Sequence, residues 1–286
     1  MSDGKAYWQS QRLDPEWDII VYDIRSGPTH QVDLWQNLTT VRSLDSLGFW
    51  SAIPLSEALL FNDKFATAEA LRDAPLPVIP SVRLTAGRDI HRLGHGDLIP
   101  DAWFPVFIKP VSWGRGLGCV RCADRPTLDA VLGLASGSGA AMLVQPSVGE
   151  IAADVRVVVV EGEIVAVYDR VPGEGSHVAN ISRGGSFSER TEIEPAVREL
   201  VDLVYARYDL SYLCIDLLRT SDGALWFSEV EPDGAVSALF GDPEALLRVV
   251  GTRFRAYAAR LDAHLARTLP STTAPEGVRP LREAML

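Results

Sequence analysis

The spacing of apolar and polar positions divides the chain into short apolar runs, paired runs and stretches of helical period. Runs at 18–24 ("DIIVYDI"), 104–109 ("FPVFIK") and 141–150 ("AMLVQPSVGE", breaking at Pro146) each predict a strand buried in a core. "DVRVVVVEGEIVAVYDRV" (154–171) sets two β-branched runs about Glu161-Gly162. "YLCIDLLRTSDGALWFSEVE" (212–231) does the same about Asp222-Gly223, and both read as hairpins. Between 32 and 48, Leu34, Leu38, Val41 and Leu44 or Leu47 recur at helical spacing, with Gly48 placed to end the helix. Further helices are predicted at 62–74, capped by Asn62 and stopped by "PLPVIP", at 124–136 with Pro126 in its first turn, and at 195–209. Asp242 and Pro243 open a long last helix. The Gly- and Ser-rich stretch 172–190 predicts a mobile loop, and the Pro/Thr-rich tail from about 270 predicts disorder. No internal repeat is visible. Hairpins interleaved with helices predict α+β layers rather than a uniform parallel sheet.

Composition narrows the classes. The 286 residues, 47 % apolar and 23 % charged, are ordinary for a globular protein with a substantial core. No apolar run approaches the roughly 18 residues of a membrane span. The first residues lack the apolar stretch of a signal peptide, so the expected location is cytoplasmic and no membrane partner is expected. A net charge of −11 with no Lys/Arg block argues against nucleic acid as a partner. Three cysteines argue against a disulfide framework. Cys119 and Cys122 form a C-x-x-C with no second ligand pair, and they are expected to be buried strand cysteines rather than a zinc or redox site.

Charge becomes informative in the 212–231 hairpin. With Asp222 and Gly223 as the two central turn residues, Asp216 falls opposite Glu229, and Glu231 lies two residues on along the same face. Three carboxylates on one face repel one another unless a cation gathers them. A solvated acidic edge is the other reading, but the flanking "YLCI" and "LWF" are strongly apolar, and a hard divalent ion suits an all-oxygen donor set. Upstream, the strand ending in Lys109 runs directly into "SWGRGLG", whose glycines leave backbone N–H groups open to an anion. Lysine, glycine loop and acid cluster together point to a nucleotide with Mg²⁺.

In their order, these motifs resemble the ATP-grasp superfamily, in particular its RimK-like carboxylate–amine ligase branch. The likeness covers about residues 45–240 and rests on "NDKFATAEAL", "FIKPVSWGRGLG", "LVQPSVGE", "DVRVVVVEGEIVAVYDRV", "NISRGG" and "IDLL…SEVE". It implies an α+β ATP-grasp fold: a shortened α/β region at 1–61, a subdomain with the glycine loop at 62–140, a second with the metal site at 141–269, and a tail at 270–286. It further implies that Lys64 and Lys109 hold phosphates beneath Gly114, Gly116 and Gly118. Gln145, Ser147 and Val148 would meet adenine, with Glu150 or Asp154 on the ribose. Asp216, Glu229 and Glu231 would bind Mg²⁺, with Mn²⁺ as an alternative, and Arg156, Arg170, Asn180 and Arg183 would line the reacting groups. The implied reaction joins a small-molecule or peptide carboxylate to an amine through an acyl phosphate, releasing ADP and phosphate. A kinase on the same scaffold and a catalytically weakened nucleotide-binding subunit are the alternatives, and a homodimer is left open. Two departures stand out. Glu231 occupies the place where the family usually has Asn, adding a negative charge that favours a second ion, shifts metal preference or weakens activity. Only about 60 residues precede Lys64, so acceptor recognition is expected to differ or to need a partner.

Overall fold

The computed structural model describes residues 4–22, 31–85, 97–114, 116–171, 186–236, 239 and 241–268. At the N-terminal end, two-residue strands β1 (Tyr7–Trp8) and β2 (Gln11–Arg12) form an exposed antiparallel ribbon. Among the described residues 18–22 the strand predicted at 18–24 does not form: Ile20 makes one isolated parallel bridge to Ser51, and Val21 is exposed. An apolar run needs a neighbouring strand to complete a ladder, and here only one residue finds one; residues 23 and 24 lie outside those described. Helix α1 (Gln31–Ser46) ends as expected before Gly48, whose φ of +87° favours glycine.

The helix predicted over 62–74 is two helices, α2 (Leu55–Asn62) and α3 (Lys64–Ala70). Asp63 lies between them in extended conformation, and its carboxylate caps α3 by accepting the N–H groups of Phe65 and Ala66 at 3.0 and 3.1 Å. The cap is therefore Asp63, not Asn62. This break makes Lys64 the first residue of α3.

Strands β3 (Val82–Leu84), β4 (Val106–Pro110), β5 (Val120–Cys122) and β6 (Met142–Pro146) form an antiparallel sheet in the order β3-β6-β4-β5. Between β5 and β6 runs α4 (Arg125–Ala135), capped by Asp124, which buries Leu128 and Leu132 on Val106, Ile108 and Val144. Alternation along β4 then turns Phe107 and Lys109 to the opposite face. Of the two cysteines expected in strands, Cys122 is buried in β5, whereas Cys119 precedes the strand and is half-buried.

The second sheet has the order β11-β10-β7-β8-β9. Its strands are β7 (Ile151–Val160), β8 (Glu163–Val171), β9 (Ser186–Glu189), β10 (Tyr212–Thr220) and β11 (Leu225–Glu231). Glu161 and Gly162, at φ +50° and +77°, turn β7 into β8 as predicted. Strand β9 falls inside the stretch expected to be a mobile loop; residues 172–185 of that stretch lie outside those described. Helix α5 (Pro195–Tyr208) packs Val197, Leu200, Val201 and Val204 on one face of the sheet, against Val155, Val157, Leu213, Ile215 and Leu217. Helix α6 (Pro243–Thr268), capped by Asp242, covers part of the other face through Val249, Ala256 and Tyr257. The two sheets meet where α3 packs on β11 and where Phe227 donates its N–H to Pro77 O at 2.9 Å.

The β10–β11 turn differs from the two-residue form predicted. Thr220 N–H bonds Ala224 O at 3.0 Å and Gly223 N–H bonds Thr220 O at 2.9 Å, leaving Ser221, Asp222 and Gly223 as a three-residue loop with Gly223 at φ +90°. Near the turn the pairing is one residue out from the prediction, with Leu217 opposite Phe227. A bulge at Ser228 then restores the register, so Asp216 does lie opposite Glu229.

Candidate active site

Period two in four strands brings six charged residues of the second sheet to one face, because Asp154 and Arg156 on β7, Arg170 on β8, Asp216 on β10 and Glu229 and Glu231 on β11 share a side. Asp216 pairs with Arg156 and Glu229 across the ladders, and Asp154 pairs with Arg170. One oxygen from each of Asp216, Glu229 and Glu231 lies within 4.8 Å of the others.

These acids are held by bases. Arg156 donates Nε to Asp216 Oδ1 at 2.8 Å and Nη2 to Asp216 Oδ2 and Glu231 Oε2 at 2.6 Å each. Its Nη1 bonds Ala235 O at 2.8 Å. Arg170 Nη2 meets Asp154 Oδ1 at 2.6 Å and Asp216 Oδ2 at 2.8 Å, while its buried Nε–H has no partner among the described residues. Lys64 Nζ lies 2.9 Å from Glu229 Oε2 and donates to Trp113 O at 3.0 Å, tying the acid cluster to the glycine loop.

The electrostatics are uneven. Burial pushes Asp216 up, but the two guanidiniums outweigh it and hold the carboxyl at about 2. Burial also raises Glu231, and the Asp216 and Glu229 charges add to it against a single arginine, so it reaches about 7. Asp154 is lifted to about 7 by burial and by Asp216, in spite of Arg170. Glu229 is lowered, since Lys64 outweighs its burial. Lys109 is lowered by burial and by the neighbouring Lys64 charge. The raised carboxyls mark negative charge that the bases do not cancel, and an all-oxygen set of three carboxylates fits a hard divalent cation such as Mg²⁺.

Among the remaining predicted residues, Gly114, Gly116 and Gly118 lie in the loop that follows Lys109; Gly116 and Gly118 have φ of +66° and +70°, and a Cβ on Gly118 would come within 2.9 Å of Pro110. Gln145 on β6 is buried and donates to Ser81 Oγ at 2.8 Å. Ser147, Val148 and Glu150 form the segment joining the two sheets, where Ser147 N–H bonds Pro105 O and Glu150 is exposed. Of the two alternatives for a ribose contact, Asp154 lies beside Arg170 in the arginine–carboxylate cluster and Glu150 lies at the hinge. Asn180 and Arg183 lie outside the described residues. Sequence reasoning missed Tyr168, which shares a face with Arg170 two residues on and was within reach of the strand period. It also missed the carbonyls of Trp113 and Ala235, which carry no side-chain signal.

Comparison with known proteins places the chain among relatives. Residues 62–238 match the model of a RimK-like ATP-grasp domain. A ribosomal protein bS6–L-glutamate ligase of Salmonella schwarzengrund (strain CVM19633) is 31 % identical over 230 residues, covering 78 % of this chain and 71 % of that protein. Among solved structures, the D-cycloserine synthetase DcsG superposes with a TM-score of 0.66 at 17 % identity, covering 87 % of this chain and 86 % of that one. D-alanine–D-alanine ligase from Bacillus anthracis, complexed with ATP, gives 0.57 at 16 % identity over 78 % and 76 %. At these identities the solved structures speak for the ATP-grasp fold. Among the described residues, no helix is long and apolar enough to cross a membrane.

Proposed function

The chain belongs to the RimK-like ATP-grasp family of ATP-dependent carboxylate–amine ligases, and on that premise we propose how its own residues divide the work. ATP-grasp ligases use ATP with Mg²⁺. Here Asp216, Glu229 and Glu231 would hold the ion, which supplies charge neutralisation for the β- and γ-phosphates when bound.

Lys109 takes the phosphates from the first sheet, and Lys64 from the start of α3. Lys64 begins with Glu229 and the Trp113 carbonyl as partners, and exchanges them for nucleotide oxygens. The N–H groups around Gly114, Gly116 and Gly118 cover the phosphates. The segment of Ser147, Val148 and Glu150, with Gln145 at its start, holds the adenosine. Arg156 has all its contacts on Asp216, Glu231 and Ala235 O, so its part is to brace the acids and to absorb the added charge of Glu231. Arg170 keeps one buried donor unspent, and we assign that donor to the reacting phosphate or carboxylate, beside Asn180 and Arg183.

The chemistry is then mostly placement. A substrate carboxylate oxygen attacks the γ-phosphorus, the bond to the β-phosphate oxygen breaks, and ADP leaves. An amine attacks the acyl carbon, loses its proton, and expels phosphate to leave an amide. The relative from Salmonella is named for joining glutamate to a ribosomal protein, and a protein or peptide carboxylate with an amino-acid amine is the pairing we favour here.

The single observation that carries this reading is the convergence of three carboxylates within 4.8 Å of one another, one of which, Glu229, meets a lysine that also binds the glycine loop. An ADP-release screen over acids paired with amines, with mass spectrometry of the product, tests it. The expected product is the sum of both substrates less water, and Lys109→Ala is expected to reduce release to background. A phosphorylated product would make the protein a kinase, and full turnover by Lys109→Ala would remove that lysine from the site.

A further inference from the structure

We propose that Tyr168 and Tyr212 are positioning residues for the carboxylate site, acting through the Gly234–Ala235 segment that follows β11; the proposal rests on the assignment of that site to the metal.

Both tyrosines lie on the same sheet face as the carboxylates and are 1 % exposed. Each directs its hydroxyl to this one short segment, and that of Tyr212 also lies 3.4 Å from Cys214 Sγ. Tyr212 O–H donates to Gly234 O at 2.5 Å, and Tyr168 O–H donates to Ala235 O at 3.3 Å. The third donor to the segment is Arg156, whose Nη1 reaches Ala235 O at 2.8 Å while its Nη2 holds Glu231 and Asp216. One guanidinium thus spans the segment and two of the three acids.

The segment is also short-tethered to the site. Gly234 N–H bonds back to Glu231 O at 3.1 Å, so the chain turns immediately after the last carboxylate. A Cβ on Gly234 would lie 2.5 Å from Cβ and Sγ of Cys214, which presses the backbone onto β10 and admits no side chain there. The Tyr212 ring is itself clamped, with the Arg253 guanidinium 3.8 Å from its centroid and Arg253 Nε on Tyr257 O–H at 2.8 Å. From α6 to Glu231 there is a continuous set of contacts: Arg253, Tyr212, Gly234, then the turn. Removing the hydroxyls takes a donor from the buried Gly234 carbonyl, leaves the Ala235 carbonyl to Arg156 Nη1, and frees the turn that aims Glu231.

The test uses the full chain, Mn²⁺ as the probe and a non-hydrolysable ATP analogue, with free Mn²⁺ followed by electron paramagnetic resonance. Tyr168→Phe and Tyr212→Phe are each expected to weaken Mn²⁺ binding roughly threefold, and the double variant roughly tenfold, the lower end for outer partners of metal ligands. Affinity for the analogue without metal should stay within about twofold, a split that loss of packing alone would not produce. Parent-like Mn²⁺ affinity in the double variant, with a lowered melting temperature, would overturn the proposal and leave the hydroxyls a packing role. Should the double variant fail to fold, Tyr168→Phe alone decides, since its hydrogen bond is the longer one; a threefold loss of Mn²⁺ affinity there supports the proposal and parent-like affinity overturns it. Asp216→Asn separates the two levels of inference. If it binds Mn²⁺ as the parent does, the site assignment has failed. If it loses Mn²⁺ while the tyrosine variants keep it, only the tyrosine proposal falls.

Discussion

One face of the five-stranded sheet carries two unlike halves on the same strands. Toward the β7–β8 turn, Val158, Val160, Ala166, Tyr212 and Cys214 form an apolar floor closed by α6 through Val249, Ala256 and Tyr257. Two to six residues away along those strands, Asp154, Arg156, Arg170, Asp216, Glu229 and Glu231 replace it. The first half is buried and the second partly so, and they are stable for different reasons. The first removes apolar area from water. The second balances charges in a setting where each is costly alone.

The largest effect should come from breaking each half in turn. Asp216 is 3 % exposed and answers both Arg156 and Arg170. Asp216→Ala is expected to abolish amine-dependent ADP release and also to cost about 3–5 kcal/mol in urea unfolding, since two buried guanidiniums lose a partner. Val249→Ala, on the buried face of α6, should cost about 1–3 kcal/mol through a cavity and leave the turnover number unchanged. An Asp216→Ala protein as stable as the parent would show that the polar half is not held together by this carboxylate.

Much of this division was legible in the sequence. Alternation along 212–231 put Asp216, Glu229 and Glu231 on one face, and the pairing of Asp216 with Glu229 came out right although two local details were missed. The turn is one residue longer than predicted and the Ser228 bulge one residue richer, and the two displacements cancel. Lys109 and the glycine loop were visible because strand and loop are contiguous. What could not be read was non-local. Arg156 meets Asp216 only because β7 pairs β10, sixty positions apart, and no pattern inside either hairpin dictates that ladder. The choice posed by the acids was accordingly drawn between a metal site and a solvated edge, without the arginines that hold them in place. The same limit explains 18–24, where apolar residues lacked a neighbouring strand, and 62–74, where the Asp63 cap outcompeted helix continuation.

A smaller effect is the response to pH, which only the polar half should show. Asp154 and Glu231 titrate near 7 in the folded chain, against about 4 when unfolded. Between those values the folded state holds more protons than the unfolded one, so its stability falls as pH rises from about 4 to about 7. Asp216, held at about 2, works the other way, and its contribution is lost only as pH falls from about 4 toward 2. The ligand-free protein should therefore be most stable near pH 4–5 and lose about 2 kcal/mol by pH 8, a value reduced for partial exposure of both acids. Mg²⁺ with a nucleotide analogue favours the charged carboxylates, so its stabilising effect should grow across the same interval. Urea midpoints at pH 5 and pH 8, with and without ligand, measure both trends, and a flat profile would mean that these acids are already neutralised.

The finest test exchanges Glu231 for the asparagine that the family resemblance leads one to expect there. Glu231→Asn removes one of the two carboxyls that titrate near 7 and keeps a side-chain oxygen at the site. Arg156 retains both oxygens of Asp216 and the Ala235 carbonyl, so its burial stays compensated. At pH 5, where Glu231 is largely protonated in the fold, the substitution should change stability by less than about 0.5 kcal/mol. At pH 8 it should stabilise the ligand-free protein by about 1 kcal/mol, because the parent then bears a charge that its surroundings disfavour. The pH slope should fall by roughly half, leaving the part due to Asp154. If the variant is instead less stable at pH 8, the 2.6 Å pair with Arg156 outweighs the repulsion from Asp216 and Glu229, and the added acid is a brace for the arginine rather than a reserve of charge for a cation.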